Sequence, residues 1–209
     1  MIRSRSKQAL ISILVTGALF ALLSGCSTMA TRVGVALTTN TTEFKDLTLF
    51  SGQEKHDNIG FRLFGRFDPG MREHFVFEAG YQRLGDTEYD GLWNGVDDRG
   101  TIETQAIEAS AGYSFPFTEK FSVGGRVGAA YADIDETEDF GGVPYSSSES
   151  GTAAFGGLTL RYNVTDMWTI AASYDRYIEI GDEATHESDV DLFGISVDFR
   201  FGGGRNTDE

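Results

Sequence analysis

From Thr31 onward apolar and polar residues alternate one for one, in runs of 9 to 12 residues separated by breaks. A period of two belongs to strands, because successive side chains on a pleated backbone point to opposite faces. Eight runs stand out, at about 31–40, 57–67, 73–84, 104–115, 121–132, 152–163, 168–178 and 190–201. Each is close to the ~9 to 11 residues with which a tilted strand crosses a bilayer, and no apolar run of the ~18 residues that a spanning helix needs follows Cys26.

The breaks between the runs alternate in length. DPGMR (68–72), PFTEK (116–120) and VTDM (164–167) are short, whereas 41–56, 85–103, 133–151 and 179–189 span 11 to 19 residues. Short turns on one side and long loops on the other are the connectivity of an outer-membrane barrel, in which the turns are periplasmic and the loops external. With eight strands both ends of the barrel fall on the periplasmic side.

Within each run one face is apolar and the other is small, polar or charged. Ile59, Phe61, Leu63 and Phe67 oppose Gly60, Arg62, Phe64 and Arg66, and Phe75, Phe77, Ala79 and Tyr81 oppose Val76, Glu78, Gly80 and Gln82. Ile107, Ala109, Ala111, Tyr113 and Phe115 oppose Glu108, Ser110, Gly112 and Ser114. The same contrast sets Arg126, Arg161 and Asp175 on the polar faces of the following runs. In the last, LFGISVDFRF (192–201), Asp198 and Arg200 alternate with Phe193, Ile195, Val197, Phe199 and Phe201. An eight-stranded barrel has an interior just wide enough to be filled by side chains. The face rich in glycine and serine is therefore the inner one, with bulky residues pointing to lipid. Arg62, Arg66, Glu78, Glu108, Arg126, Arg161, Asp175, Asp198 and Arg200 are then expected to form a lumen charge network, since buried charges must pair and hydrogen-bond. Such a network fills the lumen as a polar plug, with at most minor ion conduction. Rings flank each short turn (Phe67 and Phe75; Phe115, Phe117 and Phe121; Tyr162 and Trp168; Phe199 and Phe201), as in a girdle at a membrane interface.

Composition adds constraints. The 209 residues suit one domain, and 32 acidic against 17 basic residues give a formal charge of −15, which argues against nucleic acid as a partner. Cys26 is the single cysteine, so an internal disulfide is ruled out. Arg3, Arg5 and Lys7 precede the apolar stretch Ala9 to Leu23, the design of an export signal. Leu23-Ser24-Gly25-Cys26 is similar to a bacterial lipobox, which implies cleavage before Cys26 and its lipidation; cleavage after Ala30 is the alternative. The expected divisions are a lipoprotein-type signal peptide at 1–25, a lipid-anchor linker at 26–30, the barrel at 31–201 and a flexible periplasmic tail at 202–209.

Candidate chemistry is sparse. ADIDETEDFGG (132–142) groups carboxylates, but it lacks the glycine and final glutamate spacing of a calcium loop. His186-Glu187-Ser188 superficially resembles the His-x-Ser of lipid A deacylases, where an imidazole activates a hydroxyl. It sits in an acidic loop and continues into Asp189 without that family's Asn-Ala. His74 reads as an interfacial residue and His56 as a loop-edge one. No nucleotide, zinc or nucleophile-elbow pattern is present. A non-enzyme with no cofactor and no metal is the expectation.

VFEAGYQRLG (76–85), AGYSFPFTEKFSVGGRVGAAY (111–131), SYDRYIEIG (173–181) and DVDLFGISVDFRF (189–201) together resemble the OmpA-like outer membrane protein family. The resemblance implies an all-β, eight-stranded antiparallel up-and-down transmembrane barrel, with short periplasmic turns and four long external loops. It also implies a role in envelope integrity and surface contact. GGGRNTDE (202–209) stands where many members continue into a peptidoglycan-binding domain. The expected partners are outer membrane lipids, lipopolysaccharide and the barrel assembly machinery, with the protein a monomer and its surface partner unnamed. Two other functions compete: a lipid A-modifying barrel enzyme using His186 or Ser188, and a lipocalin-like barrel with its apolar face around a ligand.

Overall fold

The computed structural model describes residues 30–44, 50–57, 59–68, 74–180 and 188–201. The signal, the linker up to residue 29 with Cys26, His186 and the tail lie outside these, whereas Ala30, expected in the linker, opens the first strand. Among the described residues there are nine strands and no helix: β1 (Ala30–Phe44), β2 (Phe50–Asp57), β3 (Ile59–Asp68), β4 (Phe75–Trp93), β5 (Val96–Pro116), β6 (Phe121–Phe140), β7 (Val143–Asn163), β8 (Trp168–Ile180) and β9 (Ser188–Phe201). β2 and β3 are two parts of one wall position, since both pair with β4, through Asp57↔Asp86 and Phe61↔Arg83. Every neighbouring pair is antiparallel, and β1 joins β3 on one side and β9 on the other. The eight wall positions therefore close into a ring. Closure removes the free edges that an open sheet would expose.

The outer surface is apolar on every wall position: Leu37 is 67% exposed, Ile59 77%, Val127 70% and Ile195 67%. This places the apolar face away from the lumen, the reverse of what a lipocalin-like ligand cavity requires. A continuous apolar band around a closed barrel is the surface that a lipid solvent requires. Aromatic contacts mark its lower border: Phe121 with Tyr162 (4.7 Å between ring centroids), Trp168 with Phe199 (4.8 Å), and Phe199 with Phe201 (4.7 Å). At the upper border three outward tyrosines donate to polar groups on the next strand: Tyr81 to Gln105 (2.9 Å), Tyr131 to Ser150 (2.7 Å) and Tyr174 to Asp191 (2.7 Å).

Two short turns are built alike. In PFTEKF the Thr118 hydroxyl accepts from the Phe121 amide (3.0 Å), and in NVTDMW the Thr165 hydroxyl accepts from the Trp168 amide (3.0 Å). A threonine that satisfies the turn's own backbone makes the reversal local to five residues.

At the opposite end the structure corrects the sequence reading. Positions 85–103 and 133–151, expected as long loops, are mostly strand. β4, β5, β6 and β7 run for 19, 21, 20 and 21 residues, and the hairpins end in two-residue turns. Asn94 and Gly95 have φ of 51° and 83°, and Gly141 and Gly142 have φ of 59° and 84°. Positive φ at both central residues is the turn whose twist matches paired strands, and asparagine and glycine adopt it readily.

Two bulges adjust which residues face inward. The register shifts between Arg83 and Gly85, so inward positions pass from Glu78, Gln82 and Leu84 to Thr87. A second shift between Tyr177 and Ile180 lets both of those residues point inward while Ile178 faces out.

Candidate functional site

The lumen is the place where polar chemistry converges, and its main cluster is centred on Glu78. β4 places Glu78 directly opposite Arg66 of β3 and Ser110 of β5. Its carboxylate accepts from Arg66 Nη2 (2.5 Å), from Arg62 and from Arg126. Arg62 also donates through Nε to Glu108, which accepts at its other oxygen from the Tyr177 hydroxyl (2.5 Å). Arg126 grips Asp175 with two parallel bonds, Nε to Oδ1 at 2.8 Å and Nη2 to Oδ2 at 2.5 Å. That fork spans the whole width of β7, because Gly157 stands between the two residues in register. A Cβ on Gly157 would lie 1.9 Å from Asp175 Oδ1. All six charged residues of this cluster are buried. In a medium of low dielectric each shared bond is stronger than in water, and removing any one partner leaves a charge without compensation.

A second cluster lies nearer the short turns. Arg32 Nη1 donates to Asp198 Oδ1 (3.0 Å) and to the Thr169 hydroxyl (2.5 Å), and Thr169 donates on to Asn163 Oδ1 (2.9 Å). Of the nine residues expected in the network, Arg62, Arg66, Glu78, Glu108, Arg126 and Asp175 meet in the first cluster and Asp198 in the second. Arg161 and Arg200 stand apart from both; Arg161 lines a cavity at the short-turn end, and Arg200 Nε is buried without a hydrogen-bond partner among the described residues. Arg32 was missed by sequence reasoning, although the alternation of TRVGVALTT would have placed it inward.

The expectation of a lumen filled by small and charged residues also needs correction. Toward the long hairpins an apolar layer closes the interior, built from Leu84, Ala106, Ala130, Ala132, Ala153, Phe155, Tyr177, Ile180, Val190 and Leu192. Phe155 stacks on Tyr177 at 4.9 Å. Arg126 lies over the Phe155 ring at 5.2 Å and Arg62 over the inward Phe64 ring at 5.0 Å, so cations and aromatic faces join the two layers. Large rings fit because glycines face them: a Cβ on Gly34 would meet Phe64 at 2.3 Å.

Above the apolar layer the carboxylates return. Tyr89 donates to Glu136 Oε1 (3.0 Å) and Ser147 to Glu136 Oε2 (3.2 Å). Burial, then Asp98 and Glu136, hold the Glu138 carboxyl above the usual carboxylate range. Burial and Asp135 do the same to Asp133. Burial, then Glu136, push the Tyr89 hydroxyl well above its ordinary value. Alternation divides ADIDETEDFGG between two faces, and among the described residues no group of three or more acidic, histidine or cysteine side chains converges as a metal site would require. His74 packs its ring on Tyr113 at 5.3 Å beside the first short turn. His56 lies within β2, paired with Thr87, and the backbone of Ser188 opens β9 opposite Phe44.

The family model described as the outer membrane protein beta-barrel domain matches residues 14–201. Outer membrane protein A of Serratia marcescens is 24% identical over 156 residues, covering 73% of this chain and 42% of that protein. Its counterpart in Yersinia pseudotuberculosis is 28% identical over 155 residues, covering 72% and 42%. The chain thus spans less than half the length of these relatives. Among solved structures, Ail, the attachment invasion locus protein of Yersinia pestis, in complex with the heparin analogue sucrose octasulfate, aligns with a TM-score of 0.56 at 15% identity, over 83% of this chain and 99% of that one. Neisserial surface protein A aligns with a TM-score of 0.51 at 18% identity, over 83% and 97%. The two solved structures share the fold of eight antiparallel strands closed into a ring. The chain belongs to the outer membrane protein β-barrel domain family, and its place is the outer membrane of the cell.

Proposed function

We propose that this protein is a structural barrel whose long external hairpins form a stiff, acidic contact surface. The observation that carries this reading is the length of β4 to β7, about twice the ~9 to 11 residues that a bilayer crossing needs. Strand pairing continues to both turn tips, from Phe75↔Tyr113 to Trp93↔Val96 with one bulge between Arg83 and Gly85, and without a break from Phe121↔Tyr162 to Phe140↔Val143. A surface held rigid in this way loses little conformational entropy on binding. Asp86, Glu88, Asp90, Asp97, Glu103, Asp133, Asp135 and Asp139 lie on these hairpins, and among them Arg83 and Arg99 supply counter-charge to Asp86 and Asp139. The field is therefore negative, which favours a cationic partner or one bridged by divalent ions to lipopolysaccharide phosphates. A sulfated polyanion of the kind bound to Ail is disfavoured on the same grounds. The packed lumen belongs to this reading as a plug, and catalysis does not. Insertion by the barrel assembly machinery and a lipid on Cys26 complete it; mass spectrometry of the mature N-terminus distinguishes an acylated Cys26 from a start at Thr31.

The test is to cut both hairpins back, replacing 88–101 and 136–147 by Asn-Gly turns, and to measure binding of cells to polylysine-coated and heparin-coated beads. The shortened barrel is expected to keep its heat-modifiable migration on gels while adhesion to polylysine drops several-fold. Unchanged adhesion, or a preference for heparin in the full-length chain, would overturn the contact surface.

A further inference from the structure

The inward charges are unevenly placed along the barrel axis. Six arginines, Arg32, Arg62, Arg66, Arg126, Arg161 and Arg200, oppose four carboxylates, Glu78, Glu108, Asp175 and Asp198, and the surplus collects at the periplasmic end. In register Arg66 stands beside Arg32 across β3 and β1, and Arg32 stands beside Arg200 across β1 and β9. Residues opposed in this way have Cβ atoms ~4.5 to 5.5 Å apart, and like charges at that spacing are destabilising. Asp198 and Glu78 offset part of this, through Arg32 and Arg66 respectively. Yet Arg66, whose side chain is only 9% exposed, gives Glu78 a single nitrogen; among the described residues its Nε and Nη1 are buried without a hydrogen-bond partner, as are Arg200 Nε and one acceptor, Asp198 Oδ2. Buried donors left in this state cost free energy unless something accepts from them.

Arg66, though not Arg200, also borders open space suited to an acceptor. A cavity of about 200 Å³ opens at the periplasmic mouth, with Arg32, Arg66, Arg161 and Ser122 in its wall and the carboxylates of Asp68 and Glu119 there too. A smaller space of about 30 Å³ shares Arg66 and Arg161 with it and is lined by Arg126 and the Glu78 carboxylate as well. A single water needs only ~10 to 15 Å³. We infer that this vestibule is an oxyanion site for a phosphate group entering from the periplasm, either as free phosphate or as the headgroup of an anionic phospholipid of the inner leaflet. Guanidinium forks match the oxygens of phosphate in pairs, and the low-dielectric wall strengthens each bond. The overall charge of −15 does not oppose this. Much of that negative charge is carried by the external hairpins, at the other end of the barrel and beyond the apolar layer.

The experiment titrates inorganic phosphate into the full chain folded in dodecyl maltoside, at constant ionic strength, with isothermal calorimetry. One saturable site is expected. Arg161→Gln and Arg66→Gln should each weaken it at least tenfold, while Arg176→Gln at the external end leaves it unchanged. Arg66→Gln touches the Glu78 cluster and risks misfolding, whereas Arg161→Gln removes no bond of either cluster; heat-modifiable migration verifies each fold. A second arm compares nanodiscs with and without phosphatidylglycerol. Loss of the phosphate titration in the presence of that lipid identifies the headgroup as occupant, and its persistence identifies the soluble ion. No saturable heat in maltoside, or wild-type affinity in both arginine variants, would overturn the site.

Discussion

Glu78 accepts from three guanidinium groups, and that single carboxylate holds the β3, β4 and β6 walls to one another. Glu78→Ala leaves Arg62, Arg66 and Arg126 crowded in a buried space with Glu108 and Asp175 as remaining acceptors. Breaking a buried ion cluster in this manner costs roughly 3 to 5 kcal/mol. The expected result is a matching drop in unfolding free energy in urea titrations from lipid vesicles, with gel migration still heat-modifiable at low urea. A loss below about 1 kcal/mol would show that the cluster contributes little beyond filling space. The inward identity of Glu78 was legible from alternation alone. Its partners were not: Arg66 is its neighbour in register, but Arg126 reaches it from β6, across β5, and only side-chain length and packing decide such a reach.

At the scale of elements, the external hairpins show how a strong local signal can be outweighed by a coarse one. Asn94-Gly95 between alternating residues is a hairpin signature, and it sits midway in a stretch whose acidity reads as loop. Acidic strands are tolerated there because water, not lipid, meets both faces. Their acidity also makes them respond to pH. Glu138 and Asp133 have carboxyls held above their ordinary range, so the folded hairpins bind protons more readily than the unfolded chain. Stability contributed by such groups falls as pH rises through the folded value and is regained as pH falls toward the ordinary carboxylate range. Amide-exchange protection factors for 86–103 and 133–150, corrected for intrinsic exchange, are therefore expected to be higher at pH 5 than at pH 7.5. Lower protection at pH 5 would show that the carboxylates at the barrel rim are stabilised in their charged form. The bulges at Gly85 and Glu179 were not visible to alternation, because a bulge reads as a lapse in pattern, like any chance polar residue.

The whole molecule is an inverted globule: polar and apolar layers inside, an apolar band outside, water at both ends. Register is held by this arrangement, since a slip of one residue turns every side chain of a strand to the other face. Val127, near the middle of the band and 70% exposed, makes the point measurable. Val127→Arg is expected to cost roughly 2 to 4 kcal/mol in reversible folding from vesicles, the cost of arginine at the bilayer midplane. An unchanged folding free energy would mean that the residue does not face lipid. The same substitution in a water-soluble barrel with this face exposed would be close to neutral.

Alternation by itself determined the eight wall positions, the assignment of inside and outside, and the inward charge of Arg62, Glu78, Asp175 and Asp198, because a period-two pattern is a local property that a closed sheet must obey on every strand. Tertiary structure alone decided the rest. Which arginine meets which carboxylate depends on the stagger between strands, and whether Phe64 and Phe155 find room inside depends on glycines contributed by neighbouring strands. That Arg66, Arg32 and Arg200 stand in one row depends on the pairing of β1 with β3 and β9, which lie at opposite ends of the chain and meet only when the ring closes.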